Sequence, residues 1–133
     1  MQSGAHIRDL TGDDTTSVKG SAFSADSRLL ATTGRDKSIR IWRLGEKDAP
    51  LEHSLIAHED AILKLAWSPD GKLLASASAD RTIKLFRADN LTEVRAIPKQ
   101  PDWAFGLNFA PAGNQIAAGF FNGNLEIFDV ASR

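Results

Sequence analysis

Few side chains in this sequence have the type and spacing that chemistry requires. His53 and His58 are five residues apart, and Glu59 and Asp60 directly follow the second histidine. A metal site needs further ligands in a defined geometry, and the sequence has no G-x-S-x-G elbow, phosphate-binding glycine loop, H-E-x-x-H motif or Cys–His cluster. We therefore expect no catalytic residue, metal or cofactor, with His58 as a buried hydrogen-bond partner and Glu59-Asp60 as a solvated loop end.

The composition is typical of a single globular domain. Of the 133 residues, 42% are hydrophobic and 25% are charged, and none is cysteine. No apolar run approaches the roughly 20 residues that span a membrane, and residues 1–10 contain no apolar stretch of the signal-peptide kind. The net charge of −1 gives no overall attraction to nucleic acid. We expect no membrane or nucleic-acid partner, no disulfide and a cytoplasmic location.

Three copies of one pattern run along the chain. Phe23, Trp67 and Phe109 occupy the same place in the three copies, at spacings of 44 and 42 residues. A repeat of this length, rich in short strand-like segments, is typical of the blades of a β-propeller. Because one repeat cannot bury both of its faces alone, the pattern also predicts that each blade needs neighbours.

Turn residues such as Pro69-Asp70-Gly71 divide each copy into short strands. Within one domain of residues 1–133, we expect four strands in residues 13–56 (blade one), four in residues 57–98 (blade two) and three in residues 101–130 (blade three). The expected strands are Val18–Phe23, Leu29–Thr33, Ser38–Leu44, Leu51–Ile56, Ala61–Trp67, Leu73–Ser78, Thr82–Phe86, Leu91–Ile97, Phe105–Phe109, Gln115–Phe120 and Asn124–Val130. A spare outer strand, made of His6, Ile7, Arg8, Asp9 and Leu10, precedes the first copy.

The pattern resembles the WD-repeat family of β-propellers over about residues 13–130. The middle copy matches best, with His58, the turn Trp67–Gly71, the strand residues Leu74–Ser76, Asp80 and Phe86. The resemblance implies an all-β propeller of four-stranded antiparallel blades. It also implies a buried hydrogen-bond network within each blade, formed by histidine, serine or threonine, aspartate and tryptophan.

No copy holds all four members of the implied network. The matching residues are Thr32, Asp36 and Trp42 in the first copy and His58, Ser76 and Asp80 in the second. Asp14 stands where the first copy should have histidine, Phe86 replaces the tryptophan of the second, and Asn122 replaces the aspartate of the third. We therefore expect a partial network and a greater dependence on packing.

Three blades are too few to close a ring of this family, so the resemblance implies that something completes it. We favour a homodimer with six blades over a homotrimer with nine. Residues 6–10 of one copy would then complete the last blade of another, beside Leu125, Ile127 and Phe128. The charge distribution agrees, since residues 17–44 carry a net +4 and residues 101–130 a net −3. The alternatives are that the chain is part of a longer protein and that the charge gradient is accidental.

Partners of such a propeller would bind at the loops on one face, because the blades form a rigid scaffold. The expected rim consists of Arg35, Lys37, Arg81, Trp103 and Phe121. Aromatic and arginine side chains are frequent anchors of protein interfaces, although Trp103, and more strongly Phe105, could instead wedge between blades. We expect a non-catalytic scaffold that binds itself and a protein or peptide. The alternative is an enzyme or small-ligand site in the central channel.

Overall fold

The computed structural model of the chain describes residues 18–34, 36–44, 51–98 and 100–130. The expected strand of residues 6–10 lies outside the described residues, as do Asp14 and Arg35. The described strands are β1 Val18–Phe23, β2 Leu29–Gly34, β3 Ser38–Arg43, β4 Leu51–Ile56, β5 Ile62–Trp67, β6 Leu73–Ser78, β7 Ile83–Arg87, β8 Glu93–Ile97, β9 Ala104–Phe109, β10 Gln115–Phe120 and β11 Leu125–Asp129. These bounds agree with the expected ones to within two residues.

The strands form three antiparallel sheets in which each strand pairs with the next one along the chain. The sheets have the orders β1-β2-β3-β4, β5-β6-β7-β8 and β9-β10-β11, and we call them blades one, two and three. The expectation of an all-β chain of antiparallel blades is therefore confirmed. No helix in the described part of the chain is long and apolar enough to cross a membrane.

In blades one and two, the turn that joins the first two strands is closed by the same hydrogen bond between side chains. Ser68 Oγ donates to Asp70 Oδ1 at 2.6 Å, and Ser24 Oγ donates to Asp26 Oδ1 at 2.7 Å. Gly71 closes the turn with a φ of 75°, a left-handed conformation that glycine adopts without steric cost. This turn could be predicted from sequence because its stabilising contacts are local.

The hydrophobic core lies between the blades. One cluster joins Ala31, Ile39 and Ile41 of blade one to Ala57, Ile62, Trp67, Leu74, Phe86, Ala88 and Leu91 of blade two and its connecting loops. A second joins Ala75, Ala77, Ile83, Leu85 and Ile97 to Ala104, Leu107, Ile116, Ala118 and Phe120. At each of these two contacts the facing sheets bury apolar side chains against each other, as sheets packed face to face do.

The side chain of Trp67 joins blades one and two by a hydrogen bond as well as by packing. Its Nε1–H donates to the carbonyl oxygen of Ala22 at 2.7 Å, and the side chain belongs to the first core cluster. Its place in the repeat is that of Phe23 and Phe109, which have no such donor. The contact spans 45 residues of sequence, so the sequence pattern predicted the position of Trp67 but not its hydrogen bond.

Candidate interaction surface

A polar network in blade two connects the loop before β5 with strand β6 and the β6–β7 turn. His58 is buried, with its Nε2 2.7 Å from Ser76 Oγ and its Nδ1 3.0 Å from Asp80 Oδ2. Because a carboxylate only accepts hydrogen bonds, Nδ1 carries the proton and Nε2 accepts from the Ser76 hydroxyl. The structure therefore brings His58, Ser76 and Asp80 together.

Asp80 is held ionised by the same network. Burial acts to raise its pKa, but the hydrogen bonds from Thr82 and from the Glu59 N–H, together with His58, lower the pKa to about 2. Burial lowers the pKa of His58, against the opposing effect of Asp80. The pair is accordingly a neutral imidazole bonded to a carboxylate inside the blade, where it holds the His58 loop in place.

In blade one, the corresponding aspartate has a different partner. Asp36 accepts from Arg40 Nη2 at 2.7 Å and from Ser38 Oγ at 2.6 Å. The hydrogen bond from Arg40, together with those from Ser38, lowers the pKa of Asp36 to about 2 despite its partial burial. Trp42 Nε1–H donates separately to Thr32 Oγ1 at 3.0 Å.

Sequence reasoning did not identify Arg40 as a hydrogen-bond partner of Asp36. The available signal was an arginine four residues after an aspartate, between the apolar residues Ile39 and Ile41. In blade three, Asn122 Oδ1 accepts from the Asn124 N–H at 3.0 Å.

Three exposed aromatic rings cluster at one end of blade three. The ring centres of Trp103 and Phe105 are 6.1 Å apart, and those of Phe105 and Phe121 are 5.8 Å apart, both in edge-to-face arrangements. The Phe121 N–H donates to the Trp103 carbonyl at 2.9 Å, which holds the loop before β9 against the β10–β11 turn. Phe105 is exposed and is not wedged between blades; it is the middle ring of this aromatic cluster.

Two cationic side chains occupy equivalent turns of blades one and two. Lys37 and Arg81 are exposed, and their φ angles of 70° and 71° are left-handed, like the 92° of Gly123 in the same turn of blade three. The Gln100 N–H donates to the Arg81 carbonyl at 2.8 Å. The loop from Gln100 to Trp103 therefore contacts both the Arg81 turn and the Phe121 turn.

The first strands of the three blades line a groove of about 350 Å³ along the expected channel. Its lining residues are Gly20, Ser21, Leu63, Lys64, Leu65, Phe105, Gly106, Leu107 and Asn108. Lys64 is the one ionisable side chain among them. No group of three or more His, Cys, Asp or Glu in the described ranges is placed to hold a metal ion. The groove thus offers one cation and no acid–base pair.

A larger cavity, of about 680 Å³, lies between blades one and two, at the β5–β6 and β7–β8 turns. It is lined by Leu29, Asp70, Gly71, Lys72, Leu73, Arg87, Ala88, Asp89 and Val94. The Arg87–Asp89 ion pair on its wall is exposed, with Nη2 and Oδ2 3.2 Å apart. Sequence reasoning did not anticipate this cavity, because its wall combines two turns of blade two with Leu29 of blade one.

The residues expected at the oligomer contact are divided between two faces of β11. Leu125 and Ile127 are exposed, whereas Phe128 is half-buried and packs against the second core cluster. Within the described residues, β11 pairs with β10 alone. The edge of β11 that pairs with no described strand therefore borders the face of blade three that exposes Leu125 and Ile127.

Comparison with known proteins identifies the family. The model of the WD domain, G-beta repeat, matches residues 4–43 and 50–87, which together are more than half of the chain. The chain therefore belongs to the WD40 repeat family, and the resemblance in the sequence is confirmed. No curated protein gives a match.

Three solved structures show the same fold at 22% sequence identity. The Cps50 (Swd1) β-propeller domain of Myceliophteria thermophila has a TM-score of 0.80 over 90% of this chain. The RRP9 WD40 repeats and the U3-55K structure have TM-scores of 0.85 and 0.86, each over 93% of this chain. The chain spans 36%, 38% and 39% of those three chains, respectively.

Proposed function

We propose that this chain is a non-catalytic scaffold that binds a protein or peptide at the rim formed by Lys37, Arg81, Trp103 and Phe121. WD40 propellers are generally scaffolds of this kind. The observation that carries the proposal is the exposed cluster of Trp103, Phe105 and Phe121 at the end of a rigid blade. Exposed contiguous aromatic surface is characteristic of binding sites.

The charge at the rim gives a second argument. Lys37 and Arg81 are exposed cations in equivalent turns of blades one and two, and the Gln100 N–H links the Arg81 turn to the loop that carries Trp103. Cations on the same rim as an aromatic cluster favour a partner segment that combines acidic and apolar side chains.

Selection from a library of displayed peptides tests the rim. Peptides enriched on the wild-type chain should lose binding to the Trp103→Ala and Phe121→Ala variants. They should keep binding to Val94→Ala, which truncates an exposed apolar side chain elsewhere. If enriched peptides bind all three variants equally well, the rim is not the binding site and the proposal fails.

We further propose that a second copy completes the ring, with residues 6–10 of each copy pairing with β11 of the other. The edge of β11 supports this, because within the described residues β11 pairs only with β10, and such an edge, with Leu125 and Ile127 on one face, is a template for another strand. A nine-bladed trimer would use the same contact. A segment of a longer protein is also compatible, since the chain spans less than two-fifths of the three solved chains.

The mass in solution tests ring completion. Light scattering on a sizing column should give two chains over a range of concentrations, and deletion of residues 6–10 should weaken the assembly. A mass of one chain at every concentration would refute completion by self-association.

A further inference from the structure

The face of blade three that points away from blade two repeats a surface that is buried elsewhere in the molecule. Leu125 and Ile127 are 71% and 64% exposed. The equivalent side chains of blade two, Ile83 and Leu85, are 1% and 0% exposed because they are covered by blade three. Blade three therefore presents the same apolar positions without a described neighbour on them.

The exposed Phe23 of blade one is the residue type that covers such positions at the other contacts between blades. Phe23 is 62% exposed, whereas Trp67, at the same place in blade two, is 9% exposed and packs on blade one. Phe109, at the same place in blade three, packs against the second core cluster, which includes blade two. At both described contacts, the aromatic residue that ends the first strand packs into the cluster that joins its blade to the preceding one.

A cavity on blade three corresponds to the seat of Trp67 on blade one. It measures about 120 Å³ and is lined by Asn108, Phe109, Ala110, Gln115, Ala117 and Ile127. Asn108, Ala117 and Ile127 stand where blade one has Ala22, Ala31 and Ile41. Ala22 accepts the hydrogen bond from Trp67, and the other two belong to the core cluster that contains Trp67.

We propose that Phe23 of one copy occupies this cavity on blade three of a second copy, packing on Leu125 and Ile127. The proposal deepens the proposed ring completion and rests on it, but it requires the blade faces and not the exchanged strand. The charges agree with it, since the segment containing Phe23 (residues 17–44) has a net +4 and the segment containing Ile127 (residues 101–130) a net −3. The contact is head-to-tail, so each copy contributes one aromatic residue and one seat.

A charge exchange across the contact tests the proposal. Phe23→Lys and Ile127→Asp should each raise the dissociation constant of the assembly by at least about 100-fold, because each places an unpaired charge in an apolar contact. An equimolar mixture of the two variants should assemble again. One contact is then wild type and the other pairs Lys with Asp.

Val94→Asp serves as the control, since it charges an exposed apolar residue on β8 that lies outside both the contact and the rim, and it should leave the assembly unchanged. Far-UV circular dichroism should be the same for all variants, because the altered side chains are exposed within one chain. Sedimentation velocity at several concentrations measures the assembly.

Two results would overturn the proposal. If deletion of residues 6–10 weakens the assembly while Phe23→Lys and Ile127→Asp do not, ring completion stands and this contact is wrong. If both variants dissociate the assembly but their mixture does not reassemble, the contact is not head-to-tail. A wild-type chain that is monomeric at every concentration overturns both this proposal and ring completion by self-association.

Discussion

Replacement of Asp80 by asparagine should destabilise blade two by about 2–3 kcal/mol. In the wild type, Oδ1 accepts from the Thr82 N–H and hydroxyl at 2.8 and 2.6 Å, and Oδ2 accepts from His58 and the Glu59 N–H at 3.0 and 3.1 Å. Asparagine keeps one oxygen, so its NH₂ group must face two donors. If the oxygen stays on Thr82, the buried His58 loses its bond to a charged carboxylate, and a bond to a charged group contributes about 1.5–3 kcal/mol. Water can replace the partner of the exposed Glu59 N–H.

The third repeat provides the matched control, since Asn122 already occupies the aspartate position and is exposed. Asn122→Asp should change the free energy of unfolding by no more than about 0.5 kcal/mol. Urea unfolding of both variants, at one fixed protein concentration, measures the difference. Equal effects at the two positions, or a loss below about 0.5 kcal/mol for Asp80→Asn, would refute the argument that the bond from His58 to Asp80 stabilises blade two.

Three further outcomes are expected from the same structure. Trp67→Phe should lower the free energy of unfolding by about 1–3 kcal/mol in urea titrations, because the Ala22 carbonyl loses its donor; an unchanged midpoint would contradict this. Ile83→Ala should lower the free energy of unfolding by about 2–5 kcal/mol, because Ile83 is buried between blades two and three. Leu125→Ala should lower it by no more than about 0.5 kcal/mol in the monomeric chain, because Leu125 is exposed. Similar losses at the two positions would mean that the two side chains are equally covered. The pKa of His58 is lowered by folding, so below the unfolded value of about 6.5 the unfolded chain binds a proton that the folded chain does not. The temperature midpoint of unfolding should therefore fall as the pH is lowered from 7.5 to 5.5. A midpoint that rises as the pH is lowered would show that His58 is not a buried, neutral imidazole in the folded chain.

The strands and turns could be predicted from the sequence because their causes are local. Ser68, Pro69, Asp70 and Gly71 stop β5 and turn the chain through contacts between residues at most five apart. The repeat of aromatic residues indicated three equivalent blades, and the structure contains them. Phe105 was harder to place, since its aromatic character fits both a core and a surface. Only the loops that bring Trp103 and Phe121 beside it make it part of an exposed cluster.

The partners of the polar side chains depended on the fold. His58 and Asp80 are 22 residues apart and meet only because β6 and β7 return to the loop before β5. Arg40 reaches Asp36 across the turn that begins β3, a contact for which the family pattern has no place.

The sequence by itself determined the repeat, the strands, the turns and the family, because spacing and turn chemistry are properties of neighbouring residues. The tertiary structure decided which apolar faces are covered. Ile83 and Leu125 hold the same place in the repeat, and they differ in exposure only because blade three packs on blade two and no described blade packs on blade three. Burial is a property of the neighbour across the contact, and a single strand's sequence contains no record of that neighbour.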